Sequence, residues 1–386
     1  MPASPPPPDA PWLAAARTLL HALAGPHGIH ASASSTANYR AVFARDAVMA
    51  GVAGLAVGDD VVVGGLVRTL ERLRALQGAE GQIASNYEPR GDGPPHVSFG
   101  TIVPRVDAAT WYLVGVGLAA RAGAIDAAPF RDSVRRVVRL LDALEYNGRH
   151  LIYVPAGGNW ADEYVYEGYI LYDQVLRAWG VRLAAALLGD PALAAKAAHV
   201  ERAIGERFWP AGDGARTHPL ASFTPLGARD TFDLAACSLL GAAGLAPALA
   251  GPTLGWVVRR FVARGALPPA FHPVIDEAHA DWPALRRYHL YDFRNRPHEY
   301  HNGGVWPIWL GWLGVALARA GRGDDLAALR SAVATRLAAM PDFDFPEYLH
   351  GLTAAAGGTT GMAYTATGLV LLDAADAPAT LALLAE

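Results

Sequence analysis

The chain has 386 residues, 52% of them hydrophobic, a formal net charge of −4 and a mean hydropathy of +0.17. That composition supports a large core and excludes a disordered chain. A slightly acidic balance without a basic stripe offers no footprint for nucleic acid, and the single cysteine, Cys237, allows neither an internal disulfide framework nor a cysteine zinc cluster.

The chain begins MPASPPPPDAP. Residues 1–9 read as a disordered proline-rich tail. No basic n-region precedes an apolar h-region there, and no apolar run anywhere is long enough to span a bilayer. A cytoplasmic protein without a membrane partner is the expectation. Residues 10–386 contain no linker and are expected to form one domain; nothing in the sequence specifies an oligomeric state.

From residue 10 the hydrophobic periodicity predicts twelve helices and few strands. They fall near 10–24, 40–57, 60–77, 106–122, 129–144, 166–188, 191–208, 229–243, 252–264, 303–320, 324–338 and 361–374. Gly189-Asp190-Pro191 supplies a C′ glycine, an N-cap aspartate and a first-turn proline in succession. Gly58-Asp59 and Gly321-Arg322-Gly323-Asp324 repeat that pattern. Connections after the even-numbered helices are tight, and those after the odd-numbered ones are long. If the helices alternate up and down, every long connection emerges on one face, where function gathers on a rigid scaffold. Segments such as 303–320 are apolar nearly all round, as inner helices are. The expected fold is therefore all-α, an (α/α)6 barrel with the long loops forming the active site.

Those loops combine aromatic residues with carboxylates, the materials for stacking on a sugar ring and hydrogen-bonding its hydroxyls. Hydrolysis of a glycoside needs two carboxyl groups about the scissile bond. In GGNWADEY (157–164), Asp162 or Glu163 reads as an N-cap of the helix over 166–188, or as an acid desolvated by Trp160. Glu347 in FPEYLHG (345–351) is a carboxylate among aromatic residues. Arg45-Asp46 is an adjacent charge pair at a helix start, and Asp107 reads as an N-cap. No H-E-x-x-H or Cys/His spacing occurs, so neither a catalytic metal nor any other cofactor is expected.

Four stretches along residues 38–375 resemble the neutral/alkaline invertase family (glycoside hydrolase family 100), with kinship to family 63 and to amylo-α-1,6-glucosidase-like proteins. Asn38 to Asp46 (NYRAVFARD) resembles the family's N-Y-x-x-V-F-x-R-D, and Arg105 to Tyr112 (RVDAATWY) its V-D-S-G-L-W-W segment. Tyr300 to Pro307 (YHNGGVWP) resembles Y-H-N-G-G-x-W-P, and Phe345 to Tyr348 (FPEY) resembles W-P-E-Y, with Tyr364 following. The resemblance implies an inverting glycosidase with Asp162 as general acid and Glu347 as general base. Asp162 is also similar to the aspartate of the E-S-G-W-D acid motif in family 63, which distinguishes it from Glu163. The resemblance further implies that Arg45, Asp46 and Asp107 hold the sugar, with Tyr39, Trp111, Trp160, Glu163, Tyr300, His301, Asn302, Trp306 and Tyr364 as further binding residues.

The family's G-I-H-G-H-P-L-E-I-Q pattern is replaced here by EYVYEGYILYDQ (163–174), without either histidine, so the resemblance does not carry sucrose specificity with it. The reading is an exo-acting hydrolase of a small α-linked carbohydrate, a disaccharide or a glycosylglycerate. Two rivals remain: a sugar 2-epimerase-like isomerase using His301 and His350, and a non-catalytic sugar-binding protein on the same barrel.

Overall fold

The computed structural model describes residues 11–34, 39–91, 93–100, 103–210, 216–287, 289 and 292–385. The proline-rich tail, Asn38 of the first motif, and Tyr288 and Tyr291 of the aromatic loops lie outside the described residues. The helices are α1 (Pro11–Leu23), α2 (Ala44–Val57), α3 (Asp60–Ala75), α4 (Val106–Arg121), α5 (Arg131–Ala143), α6 (Leu171–Leu188) and α7 (Pro191–Phe208). They continue as α8 (Leu234–Ala242), α9 (Pro247–Arg260), a short α10 (Trp282–Leu285), α11 (Pro307–Arg319), α12 (Gly323–Ala338), α13 (Ala363–Asp373) and a short closing α14 (Pro378–Leu383).

Six of these helices form a closed inner ring. Helix α2 packs on α4, α4 on α6, α6 on α8, α8 on α11, α11 on α13, and α13 returns to α2. The remaining long helices lie outside, and the pattern of the sequence says why. Every residue of α4 from Val106 to Ala119 is buried, because both faces of an inner helix meet other helices. In α5 only Ser133, Val134, Val137, Val138 and Leu141 are buried, one stripe at helical spacing with arginines opposite. Close approach within the ring depends on glycine. A Cβ on Gly311 of α11 would lie 2.4 Å from the Gly368 carbonyl oxygen of α13, a contact that only backbone movement could relieve.

The alternation of connections holds. Inner helices leave by tight links such as 58–59 and 189–190, whereas 76–105, 144–170 and 261–306 are long. Gly189 is left-handed at φ +66°, and the Asp190 carboxylate accepts hydrogen bonds from the amides of Ala192 and Leu193. Asp59 caps α3 in the same way. The third site differs: Arg322 holds the N-cap position without a side-chain cap and bonds Asp325 instead.

The expected inner helices begin too early. Residues 40–43, 166–170, 229–233 and 303–306 are not helical, because the chain arrives extended and pairs with the next long loop. Val42–Phe43 pairs with Asn86–Tyr87, Tyr169–Ile170 with Ser222–Phe223, Phe232–Asp233 with Phe271–His272, and Val305 with Leu349. The first amide of each helix then donates to that neighbouring loop: Ala44 to Ser85, Val106 to Gly158, Leu171 to Ala221, Leu234 to Ala270 and Ala363 to Ala31. The sixth helix begins with Pro307, which has no amide to satisfy. Loop-to-helix bonds repeated around the ring thus quench amides left free at helix starts and fix the six long loops over one end of the barrel.

Candidate active site

At that end lies a cavity of about 470 Å³, walled by the starts of inner helices and by five of the long loops. Its wall brings together Asp162 and Glu347, which are 185 positions apart in the sequence (347 − 162).

The GGNWADEY loop is not a helix cap. Helix α6 starts at Leu171 and its first-turn carboxylate is Asp173, so Asp162 and Glu163 stand well before it. The loop is held from outside. Arg105, the residue before α4, donates from Nη1 to the carbonyls of Gly157 (2.5 Å) and Asn159 (3.0 Å), and from Nη2 to Asp162 Oδ2 (2.5 Å). Asn159 donates to Asp173 Oδ2 at 2.8 Å. Glu163 is almost fully buried and takes a two-pronged contact from Arg294 at 2.7 and 3.2 Å, and the Arg294 guanidinium lies 4.2 Å from the Tyr300 ring centroid. Trp160 stacks on Phe271 at 5.7 Å and meets Trp306 edge-on at 5.5 Å, so its ring is a fixed part of the wall.

Glu347 sits in a turn that requires unusual backbone. Phe345 has φ +52° and Gly358 φ +75°. A Cβ on Gly358 would lie 2.3 Å from Glu347 Oε2. The Glu347 amide bonds the Thr359 carbonyl at 2.7 Å, its Oε1 accepts from Tyr39 Oη at 2.8 Å, and its Oε2 accepts from the Thr359 amide at 3.3 Å. Burial raises its pKa, while the Tyr39 hydrogen bond and the Arg294 charge pull the other way.

Arg45, Asp46 and Tyr364 form another part of the wall. Arg45 Nη1 reaches Asp107 Oδ2 at 2.7 Å. Its Nε forms an ion pair with Asp46 Oδ2 at 3.6 Å, beyond hydrogen-bond distance, and both atoms are buried without a hydrogen bond. Trp160 Nε1 is a third such atom. Burial pushes Asp46 up to about 6. Two further buried carboxylates at inner-helix starts behave alike: burial raises Asp173, with repulsion from Asp107 adding to it, and raises Asp233 to about 6.

Of the residues predicted to touch sugar, Tyr39, Arg45, Asp46, Trp160, Glu163, Tyr300, Trp306 and Tyr364 line the cavity with the two carboxyls. Asp107, Trp111, His301 and Asn302 do not; they stand behind the wall. Asp107 is the buried partner of Arg45, not an N-cap: that position is Arg105. Trp111 donates to Tyr172 Oη at 2.9 Å and packs against Trp179 and Trp312 in the barrel core. Asn302 bonds the backbone of Ile275 and Asn295. His301 stacks on Trp306 at 5.3 Å, and burial, with the charges of Arg294, Arg45 and Arg105, holds its pKa well below the usual range. Arg105, Arg294, Asn86 and Ser98 also line the cavity, although the sequence pattern assigns none of them to the site. Arg105 lies inside a matched motif, which is the signal that could have found it; Arg294 has none.

Residues 270–374 match a family model described as alkaline and neutral invertase. No curated protein sequence matches the chain. Among solved structures, a GH63 mannosylglycerate hydrolase from Thermus thermophilus, in complex with glucose, is similar at 14% identity and a TM-score of 0.64, over 94% of this chain and 99% of that one. A structure described as a wild-type glycosidase is similar at 16% identity and TM-score 0.65, over 97% of each chain. A bacterial glucoamylase complexed with acarbose is similar at 15% identity and TM-score 0.62, over 95% of this chain and 55% of that one. The protein is an (α/α)6 barrel, the fold it shares with these structures, and residues 270–374 within it carry the match to the alkaline and neutral invertase model.

Proposed function

We propose that the protein is an exo-acting, inverting glycoside hydrolase on a small α-linked sugar. The observation that carries this reading is the cavity wall. Three residues with a buried polar atom that makes no hydrogen bond, Arg45 (Nε), Asp46 (Oδ2) and Trp160 (Nε1), line one cavity together with two carboxyls, Asp162 and Glu347. Unpaired buried polar atoms are uncommon and call for a ligand or water that hydrogen-bonds in several directions, as a sugar does. The aromatic faces beside them suit its C–H surfaces.

In this mechanism Asp162 protonates the glycosidic oxygen, which leaves with the electron pair of the broken C–O bond. A water attacks the anomeric carbon from the opposite face and gives its proton to Glu347. The donors on both oxygens of Glu347 hold it in place for that water. Similarity to the GH63 mannosylglycerate hydrolase over nearly the full length of both chains supports a glycosylglycerate as substrate. The isomerase reading needs two histidines facing the sugar. No histidine is among the described residues that line the cavity, and His350 Nδ1 accepts from the amides of Leu352 and Thr353. Screening α-linked disaccharides and glycosylglycerates for monosaccharide release tests the proposal. Release by the wild type and none by Glu347→Gln is expected; equal release by both removes Glu347 from the mechanism.

A further inference from the structure

On the hydrolase reading above, we infer that Arg105 is a positioning residue for the proton donor, fixing Asp162 so that Oδ1 is the oxygen presented to the glycosidic bond. Three observations meet here. The Arg105 side chain and the amide that follows it bond three consecutive carbonyls of the loop: Gly157 and Asn159 through Nη1, and Gly158 through the amide of Val106 at 2.7 Å. The same guanidinium takes Asp162 Oδ2 at 2.5 Å. Asp162 Oδ1 has no hydrogen-bond partner among the described residues, although its side chain is largely enclosed, at 24% exposure.

A guanidinium presents its donors in a rigid plane. With Nη1 committed to two carbonyls, the position of Nη2 is set, and so is the oxygen it binds. The carboxyl cannot rotate without breaking that contact. Arg105 is anchored in turn, since its own amide bonds the Phe99 carbonyl at 3.0 Å and α4 begins at the next residue. The loop that bears the acid is thus tied to a rigid inner helix, and the proton is placed at Oδ1. When it passes to the departing oxygen, Asp162 is left as a carboxylate paired with Arg105, and the hydrolytic water restores the proton balance through Glu347.

The role predicts a dependence on the leaving group that general loosening of the fold would not produce. A glycoside whose leaving group is an alcohol needs the proton, whereas fluoride departs with little help. Glucosylglycerate and α-D-glucosyl fluoride are compared with wild type, Arg105→Gln and Arg105→Lys. Arg105→Gln is expected to lower kcat on glucosylglycerate by about 100-fold, the scale of general acid assistance, with KM little changed and the fluoride rate within about fivefold. Arg105→Lys keeps a charge but not the fork, and recovers part of the loss. Equal losses on both substrates, or a rise in KM at constant kcat, overturns the inference. A wild type that releases sugar from no glycoside of the screen above, these two included, defeats the hydrolase reading and this inference with it.

Discussion

Gly358→Ala tests whether the turn around Glu347 exists to place its carboxylate. At φ +75° an alanine carries a backbone penalty of about 1 to 2 kcal/mol. Its Cβ would also lie 2.3 Å from Glu347 Oε2 and 2.6 Å from Glu347 Cβ. Reaching even a tight separation of about 3.0 Å moves the carboxylate by roughly 0.7 Å, and a displacement near 1 Å costs about 100-fold in rate. We expect kcat on a cleaved glycoside to fall 10- to 100-fold while KM changes little, with a thermal midpoint a few degrees lower. Gly58→Ala separates strain from displacement. Gly58 has φ +68°, and a Cβ added there would meet nothing within 4 Å, so the same backbone penalty applies without touching the site. Calorimetry and steady-state kinetics on the two variants should give similar midpoints and divergent kcat. Wild-type kcat in Gly358→Ala would refute the reasoning.

Three further outcomes follow from the same geometry. Tyr39→Phe removes a donor that stabilises the ionised Glu347; its pKa rises further, and because the base must be ionised, the acidic limb of kcat/KM moves to higher pH. An unmoved limb contradicts the Tyr39 assignment. Asp46 has a folded pKa of about 6 against 3.8 unfolded, so its contribution to stability is full below about 3.8 and is lost as pH rises through 6, by about 3 kcal/mol at 1.36 kcal/mol per unit. In urea unfolding at pH 4 and pH 7, Asp46→Asn should lose that part of the fall, and an unchanged pH slope argues against the burial account. Gly311→Ala forces α11 from α13 and should destabilise by about 3 kcal/mol as an overpacked core does; an unchanged thermal midpoint would mean the ring has slack.

The sequence and the structure agree where the signal is local and periodic. Inner and outer helices separate by their apolar patterns, and Asp59 and Asp190 cap as their neighbours dictate. Agreement fails where pairing is long-range. Phe43 and Ile170 are apolar whether helical or extended, and only Asn86 and Ser222 across the gap decide that they are strand. The site shows the same division. Motifs locate Glu347, Arg45 and Trp306, but they equally include Trp111 and Asn302, because a residue that supports a wall and one that forms it carry the same pattern. Arg294 escapes the sequence altogether: its meaning comes from Glu163, 131 positions away.

Cleavage of an α-linked glycosylglycerate followed by time-resolved proton NMR tests the central claim most directly. The account predicts that the wild type releases the β-anomer first and that Glu347→Gln releases no sugar. The α-anomer appearing first, or unimpaired release by Glu347→Gln, would contradict it.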